Sequence, residues 1–155
     1  MGRSRRKKAE EERQREKIVK KDLPTNIVQD ISIAVVLESD SPTGKVWNVY
    51  LINEKEVTLK NVMVSSKGYG IKDEQEVKTS VLRHFIGDID SRDYAKIEAI
   101  DEQVFGLTNE YWLSYYIDET IYDKKYIFLP ESIIDDNLIK IPVLNKPGVL
   151  IGGNH

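Results

Sequence analysis

Residues 46–64 set the pattern for the whole chain. Val46 to Asn53 (VWNVYLIN) is a run of β-branched, aromatic and aliphatic residues, and Val57 to Val64 (VTLKNVMV) is a second. Asn53-Glu54-Lys55-Glu56 is a polar break between them. Two strand-like runs around a short polar break predict a β-hairpin. The second run changes phase: Val57 and Leu59 are odd, Val62 and Val64 even. A parity change inside one strand predicts a bulge near Lys60-Asn61.

The flanking segments repeat this grammar. Ile27 to Glu38 alternates, with Ile31, Ile33, Val35 and Leu37 on one face, which suits a strand with one well-buried side. Ser39 to Gly44 is a turn cluster. Ser65 to Glu76 has the composition of a polar loop, with Gly68 and Gly70 available for positive φ. Val77 to Ile86 resumes strand character, placing Val81, Arg83 and Phe85 on one face and Leu82, His84 and Ile86 on the other. After the Gly87–Asp93 turn, Tyr94 to Ile100 sets Ala95, Ile97 and Ala99 against Lys96 and Glu98. Glu110 to Ile117 and Ile121 to Leu129 predict a second hairpin, ended by Pro130. Leu138 to Leu144 is a last short strand, confined to an edge or strand end by Pro142. Lys146-Pro147-Gly148 has the chemistry of a type II turn, and Gly152 to His155 that of a loose end.

Seven to eight short strands separated by turn signals, with no amphipathic helix between them, predict an all-β fold. An immunoglobulin-like antiparallel β-sandwich over residues 25–155 is the expectation. Residues 1–24 differ from this body. They are rich in helix formers and free of Gly, apart from Gly2, and no apolar stripe runs along them. They form a charged extension, helical or disordered, that stops at Pro24.

Charge separates the two parts further. The extension carries a net +5 and residues 25–155 a net −8. The acidic body is a poor general match for a phosphate backbone, so polyanion affinity falls to Arg3, Arg5, Arg6, Lys7 and Lys8. RNA or a ribosome is the partner such a block would find. No apolar run approaches the roughly 20 residues of a membrane span, and no secretory signal is legible. With no cysteine, disulfides and thiolate chemistry are excluded, and the cytoplasm is the simplest location.

Most catalytic chemistries find no support. The histidines are His84 and the terminal His155, too few for a zinc site without cysteine. Asp88, Asp90 and Asp93 could suggest a calcium loop, but Arg92 lies among them and no closing Glu follows at the required spacing. A serine-histidine triad would need His84, which reads as a partly buried, hydrogen-bonded side chain. In Ser65-Ser66-Lys67-Gly68-Tyr69-Gly70 the lysine precedes the glycines, unlike a phosphate-binding loop. The candidates for a carboxylate pair (Asp101, Glu102, Asp118, Glu119, Asp123, Asp135 and Asp136) fall at turns, where acidic groups are simply solvated. No cofactor is indicated.

The aromatic run of the second hairpin is the most suggestive feature. Alternation sets Trp112 and Tyr116 on one face and Tyr111, Leu113, Tyr115 and Ile117 on the other. One face is core. The other is either cross-strand packing or a binding surface, for which Trp112, Tyr116, Tyr122 and Tyr126 are the candidates. Lys124 and Lys125 are placed to stack on these rings.

The paired strands at 46–64 resemble those of immunoglobulin-like domains, although the cysteines are missing and Trp47, near a strand-C position, has no disulfide to pack on. WNVYLIN at 47–53, SSKGYG at 65–70 and KKYIF with Pro130 also resemble a group of short bacterial proteins of unknown function. Some of these are labelled phenylalanyl-tRNA synthetase-related. A synthetase core needs ATP-gripping arginines, and residues 25–155 hold only Arg83 and Arg92. The expectation is therefore a non-enzymatic protein-interaction module.

Overall fold

The computed structural model describes residues 26–152; the extension over 1–24 and the end at 153–155 lie outside them. The described residues are all-β, with ten strands: β1 (Ile31–Ser41), β2 (Gly44–Asn53), β3 (Leu59–Lys72), β4 (Gln75–Lys78), β5 (Leu82–Ile89), β6 (Asp93–Ile100), β7 (Thr108–Ile117), β8 (Thr120–Phe128), β9 (Ile139–Lys140) and β10 (Pro147–Gly152). They form two antiparallel sheets. The first has the order β6-β2-β1-β10-β9. In the second, β3 is flanked on one side by β4 and β5 in succession and on the other by β7 and then β8. The count exceeds the seven to eight expected because Val77–Ile86 splits into two strands, and because β10 was hidden.

The stretch expected to form the first hairpin does something else. β2 is paired on both sides, by β1 and β6, and has no free edge for β3. Residues 54–58 instead carry the chain across to the second sheet. Asn53 fixes this crossing from a fully buried position. Its Nδ2 donates to the Val57 and Asp90 carbonyls at 3.0 and 2.9 Å, and its Oδ1 accepts from the Lys55 amide at 3.0 Å. A buried amide with its donors and acceptor used locks both ends of a loop, and replacing it would leave backbone groups unpaired.

The bulge expected near Lys60-Asn61 is present: the register of β3 slips there against both neighbours, and Asn61 has φ 51°. The polar loop expected over 65–76 is not. β3 runs straight through SSKGYG, and the turn is made by Asp73 and Glu74, both at positive φ. Two positive-φ residues match a hairpin with a tight two-residue turn. Gly68 is small for packing: a Cβ there would lie 3.2 Å from the Thr79 methyl and 3.3 Å from Asn109 Oδ1. The expected turn at 146–148 is likewise strand. Gly148 is buried in β10, where a Cβ would come within 2.7 Å of the Val35 carbonyl. Trp47 lies on β2, with its indole N–H donated to Glu102 at 2.8 Å and its ring edge-on to Phe105.

The main core fills the space between the sheets. Ile31, Ile33, Val35, Val49 and Leu51 meet Leu59, Val62, Val64, Leu113, Tyr115 and Phe128 there. Tyr126 bolts the layers together, donating its hydroxyl to the Ile31 carbonyl at 2.7 Å.

β1 is buried on its second face as well, which simple alternation did not predict. Ala34 and Val36, with Tyr50 and Ile52 of β2, pack under Ile141 and Leu144 of the strap between β9 and β10. The strap turns sharply, with Val143 and Asn145 at positive φ. A β-branched residue in that region is strained. A latch holds the strap. A register slip in β1 sets Glu38 between Leu37 and Ser39, where it accepts from Tyr50 Oη and from Lys146 Nζ, the latter at 2.6 Å. Desolvation raises the Glu38 carboxyl, but hydrogen bonds from Lys146, Tyr50 and Asn48 outweigh it and hold the group at about 2. Burial and the same hydrogen bond push the Tyr50 hydroxyl up to about 12.

Candidate interaction face and a polar cluster at the sheet seam

The outer face of the second sheet has no cover among the described residues. Cross-strand register defines its rows. Phe85, Met63, Ser114 and Asp123 form one row across β5, β3, β7 and β8. Arg83, Ser65, Trp112 and Lys125 form the next, and Lys60, Tyr116 and Ile121 lie on the other side. Met63, Phe85, Trp112, Tyr116 and Ile121 are all exposed, Phe85 at 71%. Met63, Trp112 and Tyr116 flank Ser114 on three sides and Asp123 lies on the fourth, so the apolar residues are grouped around a polar centre. Isolated exposed apolar residues are ordinary, whereas a contiguous patch with a charged rim is a mark of recognition.

One end of the face is electrostatically closed. Glu110 is buried to 9% exposure beneath Lys67 and Lys125, at 3.4 and 3.7 Å. Lys125 also lies 5.1 Å from the Trp112 ring centroid. Beyond Glu110 the surface dips into a groove of about 700 Å³ along β3 and β4, lined by Tyr69, Ile71, Val77 and Lys78 among others.

The structure divides the four aromatic candidates. Trp112 and Tyr116 point outward as their alternation predicts. Tyr122 and Tyr126 do not belong with them. In the β7–β8 register Tyr115 opposes Tyr122 and Tyr111 opposes Tyr126, so both face the core side. Tyr126 is 1% exposed, and the half-buried Tyr122 stacks on Tyr115 at 5.3 Å. Burial pushes the hydroxyls of Tyr111, Tyr115 and Tyr126 well above the usual phenol range. Met63, Phe85 and Ile121 were not among the sequence candidates. Alternation from Val81 to Phe85 gave Phe85 its face, but the pairing of that face with Met63 appears only in the sheet.

A second arrangement was not anticipated. The alternation predicted for β6 breaks between Lys96 and Glu98, which oppose Tyr50 and Val49, so Ile97 is an extra residue. A bulge of this kind turns Glu98 inward beside Ile97. There Glu98 Oε1 accepts from Ser66 Oγ at 2.5 Å and contacts His84 Nε2 at 2.7 Å, while Tyr111 Oη lies 3.4 Å from Oε2. The carboxylate thus joins three strands of the opposite sheet. Ser66 and His84 share one glutamate oxygen rather than bonding to each other. That is not the serine–base relay of a triad.

The other sequence candidates are dispersed. Asp88 accepts from the Asn61 amide and Lys60, both at 3.1 Å, which lowers its carboxyl, and Asp93 accepts from its neighbour Tyr94. Asp101 caps the 3₁₀ turn Glu102–Val104, and Asp135 and Asp136 lie in the 3₁₀ turn Asp135–Asn137. Among the described residues, no three His, Asp or Glu side chains are grouped to hold a metal ion. No helix of the described residues is long and apolar enough to cross a membrane. Arg3, Arg5, Arg6, Lys7 and Lys8 lie outside the described residues. The stretches that carry the sequence resemblances, 47–53, 65–70 and 124–128, are framework strands β2, β3 and β8. No protein-family model matches the chain, and no curated protein matches it.

Proposed function

We propose that this chain is a non-enzymatic protein-interaction module whose docking surface is the outer face of the second sheet. The observation that carries this reading is the unequal treatment of the two outer faces. One lies under Ile141 and Leu144; the other presents Phe85, Met63, Trp112, Tyr116 and Ile121 to solvent. Aromatic residues and Met are the residue types enriched at interface centres. The rim is of mixed sign: Lys60 and Lys125 pair with Asp88 and Glu110, and Asp123 lies beside Ser114. Arg83 has no ion-pair partner among the described residues, which favours a partner offering a carboxylate near Arg83.

The connectivity supports an immunoglobulin-like framework for this module. β1, β2 and β6 neighbour one another in one sheet, and β5, β3, β7 and β8 in the other. This follows the order A-B-E and C′-C-F-G, with β10 and β9 added beyond β1. Such folds bind partners through sheet faces, edges and loops alike, so the location of the site rests on the face and not on the fold. With no cysteine to protect, the cytoplasm suits the module.

Affinity capture from native lysate tests the reading. Full-length protein should retain a partner that Phe85→Ser and Trp112→Ser each lose by tenfold or more. Equal capture by both variants would remove the face from consideration. The second reading is RNA or ribosome contact through residues 1–24, supported by their net charge of +5. Salt-sensitive RNA binding that disappears on deletion of 1–24, with Phe85 and Trp112 irrelevant, would favour it.

A further inference from the structure

The Glu98 cluster forms one wall of a separate cavity of about 220 Å³. Its other walls include Asp101, Asn109, Leu82, Val104 and Ser80, the last from the gap between β4 and β5. We infer that this cavity is a binding site for a small cationic nitrogen group, an alkylammonium or alkylguanidinium.

Three features select that chemistry. The first is a buried carboxylate whose one ion-pair partner among the described residues is an imidazole, cationic only when protonated. The Glu98 side chain is only 16% exposed, and its neighbours are a hydroxyl, a phenol and an imidazole. Among the described residues no Lys or Arg lies within ion-pair distance of it. A buried carboxylate is best stabilised by a cation that also donates hydrogen bonds. The second is the polarity of the walls, which offer acceptors. Glu98 Oε2 has only the long contact from Tyr111. Asp101 uses Oδ1 to cap Gln103, and its other oxygen has no partner among the described residues. Asn109 commits its Nδ2 to the Val104 and Leu107 carbonyls, leaving its oxygen as the acceptor. Lys67 borders the cavity, but its ammonium pairs with Glu110 on the outer face of the sheet. The third is shape. The volume equals that of about seven liquid waters, enough for a nitrogen head on a four- or five-carbon stem. Leu82, Val104 and Ile100 supply apolar surface for such a stem.

The bulge at Ile97 gives the cluster its origin. Without the extra residue Glu98 would face away from the core with Lys96, and the cavity would be apolar at that wall. Bulges that re-aim a side chain are common beside binding sites.

The shared chemistry has two sources: a free amine, or the Lys or Arg side chain of a polypeptide. Titration of full-length protein followed by amide NMR separates them. n-Butylammonium and n-butylguanidinium should shift the amides of Gly68, Ala99 and Ile100 saturably, while 1-butanol should not. Glu98→Gln should weaken this at least tenfold. Ser80→Trp, an exposed change at the mouth, should do the same without touching the carboxylate, and it keeps the test decisive should Glu98→Gln fail to fold. A Gly-Gly-Lys-Gly-Gly peptide binding more tightly than n-butylammonium would assign the site to a polypeptide side chain; the reverse order would assign it to a free amine. Absence of saturable shifts, equal shifts with 1-butanol, or undiminished binding by Ser80→Trp or folded Glu98→Gln would overturn the inference. Phe85→Ser should leave these titrations unchanged, so failure here is distinct from failure of the docking face.

Discussion

On the outer side of the first sheet, Ala34, Val36, Tyr50 and Ile52 lie beneath a strap tied down by a glutamate–lysine latch. On the outer side of the second, Met63, Phe85, Trp112, Tyr116 and Ile121 have no counterpart to the strap among the described residues. Both faces are antiparallel, both carry grouped apolar residues, and both are made by strands of eight residues or more. Burial therefore separates two jobs that the same pattern can do. Apolar residues that find a cover within the chain stabilise the fold. Those that do not are available to a partner. Substitutions that weigh the two faces against each other test this division.

The largest effect belongs under the strap. Ile141 is fully buried, touching the Ala34–Val36–Tyr50–Ile52 layer. Ile141→Ala should cost about 3 kcal/mol in equilibrium urea unfolding, the usual loss for a buried aliphatic truncated to Ala. A cost below about 1 kcal/mol would mean that the strap rides loosely on the sheet. The contrast between the faces would then weaken.

The next effect compares two aromatics on one strand pair. Tyr126 faces inward and bonds the Ile31 carbonyl; Trp112 faces outward. Tyr126→Phe keeps the ring and removes one buried hydrogen bond, so stability should fall by about 1 kcal/mol. Trp112→Phe should change it by less than about 0.5 kcal/mol, like other substitutions at the surface. The same urea titration measures both, and equal costs would contradict the assigned faces.

These residues also mark how much was legible from the amino-acid order. Period-two alternation placed Trp112 and Tyr116 opposite Tyr111 and Tyr115 correctly, because β7 is regular throughout. It also located the bulge at Lys60-Asn61 through a parity change in the apolar residues. It missed the bulge at Ile97, where the inward set passes from Ala95 and Ile97 to Ile100 and the apolar but exposed Ala99 disguises the change of parity. Sheet membership was illegible for a different reason. Val46–Asn53 and Val57–Val64 look like hairpin partners locally, and only pairing of β2 with β1 and β6 excludes that. β10 was missed because Pro147 and Gly148 imitate a turn. Gly148 is in fact small to clear the Val35 carbonyl.

The latch gives the covered face a pH signature. Glu38 is held at about 2, below its ordinary 4.5. A carboxyl with a depressed folded-state pKa adds stability above its unfolded value and loses it as pH falls toward the folded value. The melting-temperature gap between the native protein and Glu38→Gln should therefore be full above pH 4.5 and shrink between pH 4.5 and 2. Tyr50, pushed up to about 12, acts at the other end. Its share is complete below pH 10 and fades as pH rises toward 12. A gap unchanged from pH 6 to pH 2 would show that the strap stays in place by packing alone. Among the described residues the bare face has no comparable latch at Met63, so Met63→Ser should show no such pH dependence.

The smallest expected effect is on the bare face itself, and it discriminates most sharply. Met63 and Phe85 oppose each other across β3 and β5, at 44% and 71% exposure. If they serve the fold, the double change Met63→Ser with Phe85→Ser should cost what two partly buried apolar side chains cost. If they serve a partner, their removal leaves no cavity and no unpaired polar group, and the change in unfolding free energy should stay within about 0.5 kcal/mol. It should also raise the concentration at which the protein begins to self-associate, since exposed apolar surface is lost. A destabilisation above about 1.5 kcal/mol would mean that chain outside residues 26–152 covers these side chains. The second sheet would then have a strap of its own, and the difference between the faces would disappear.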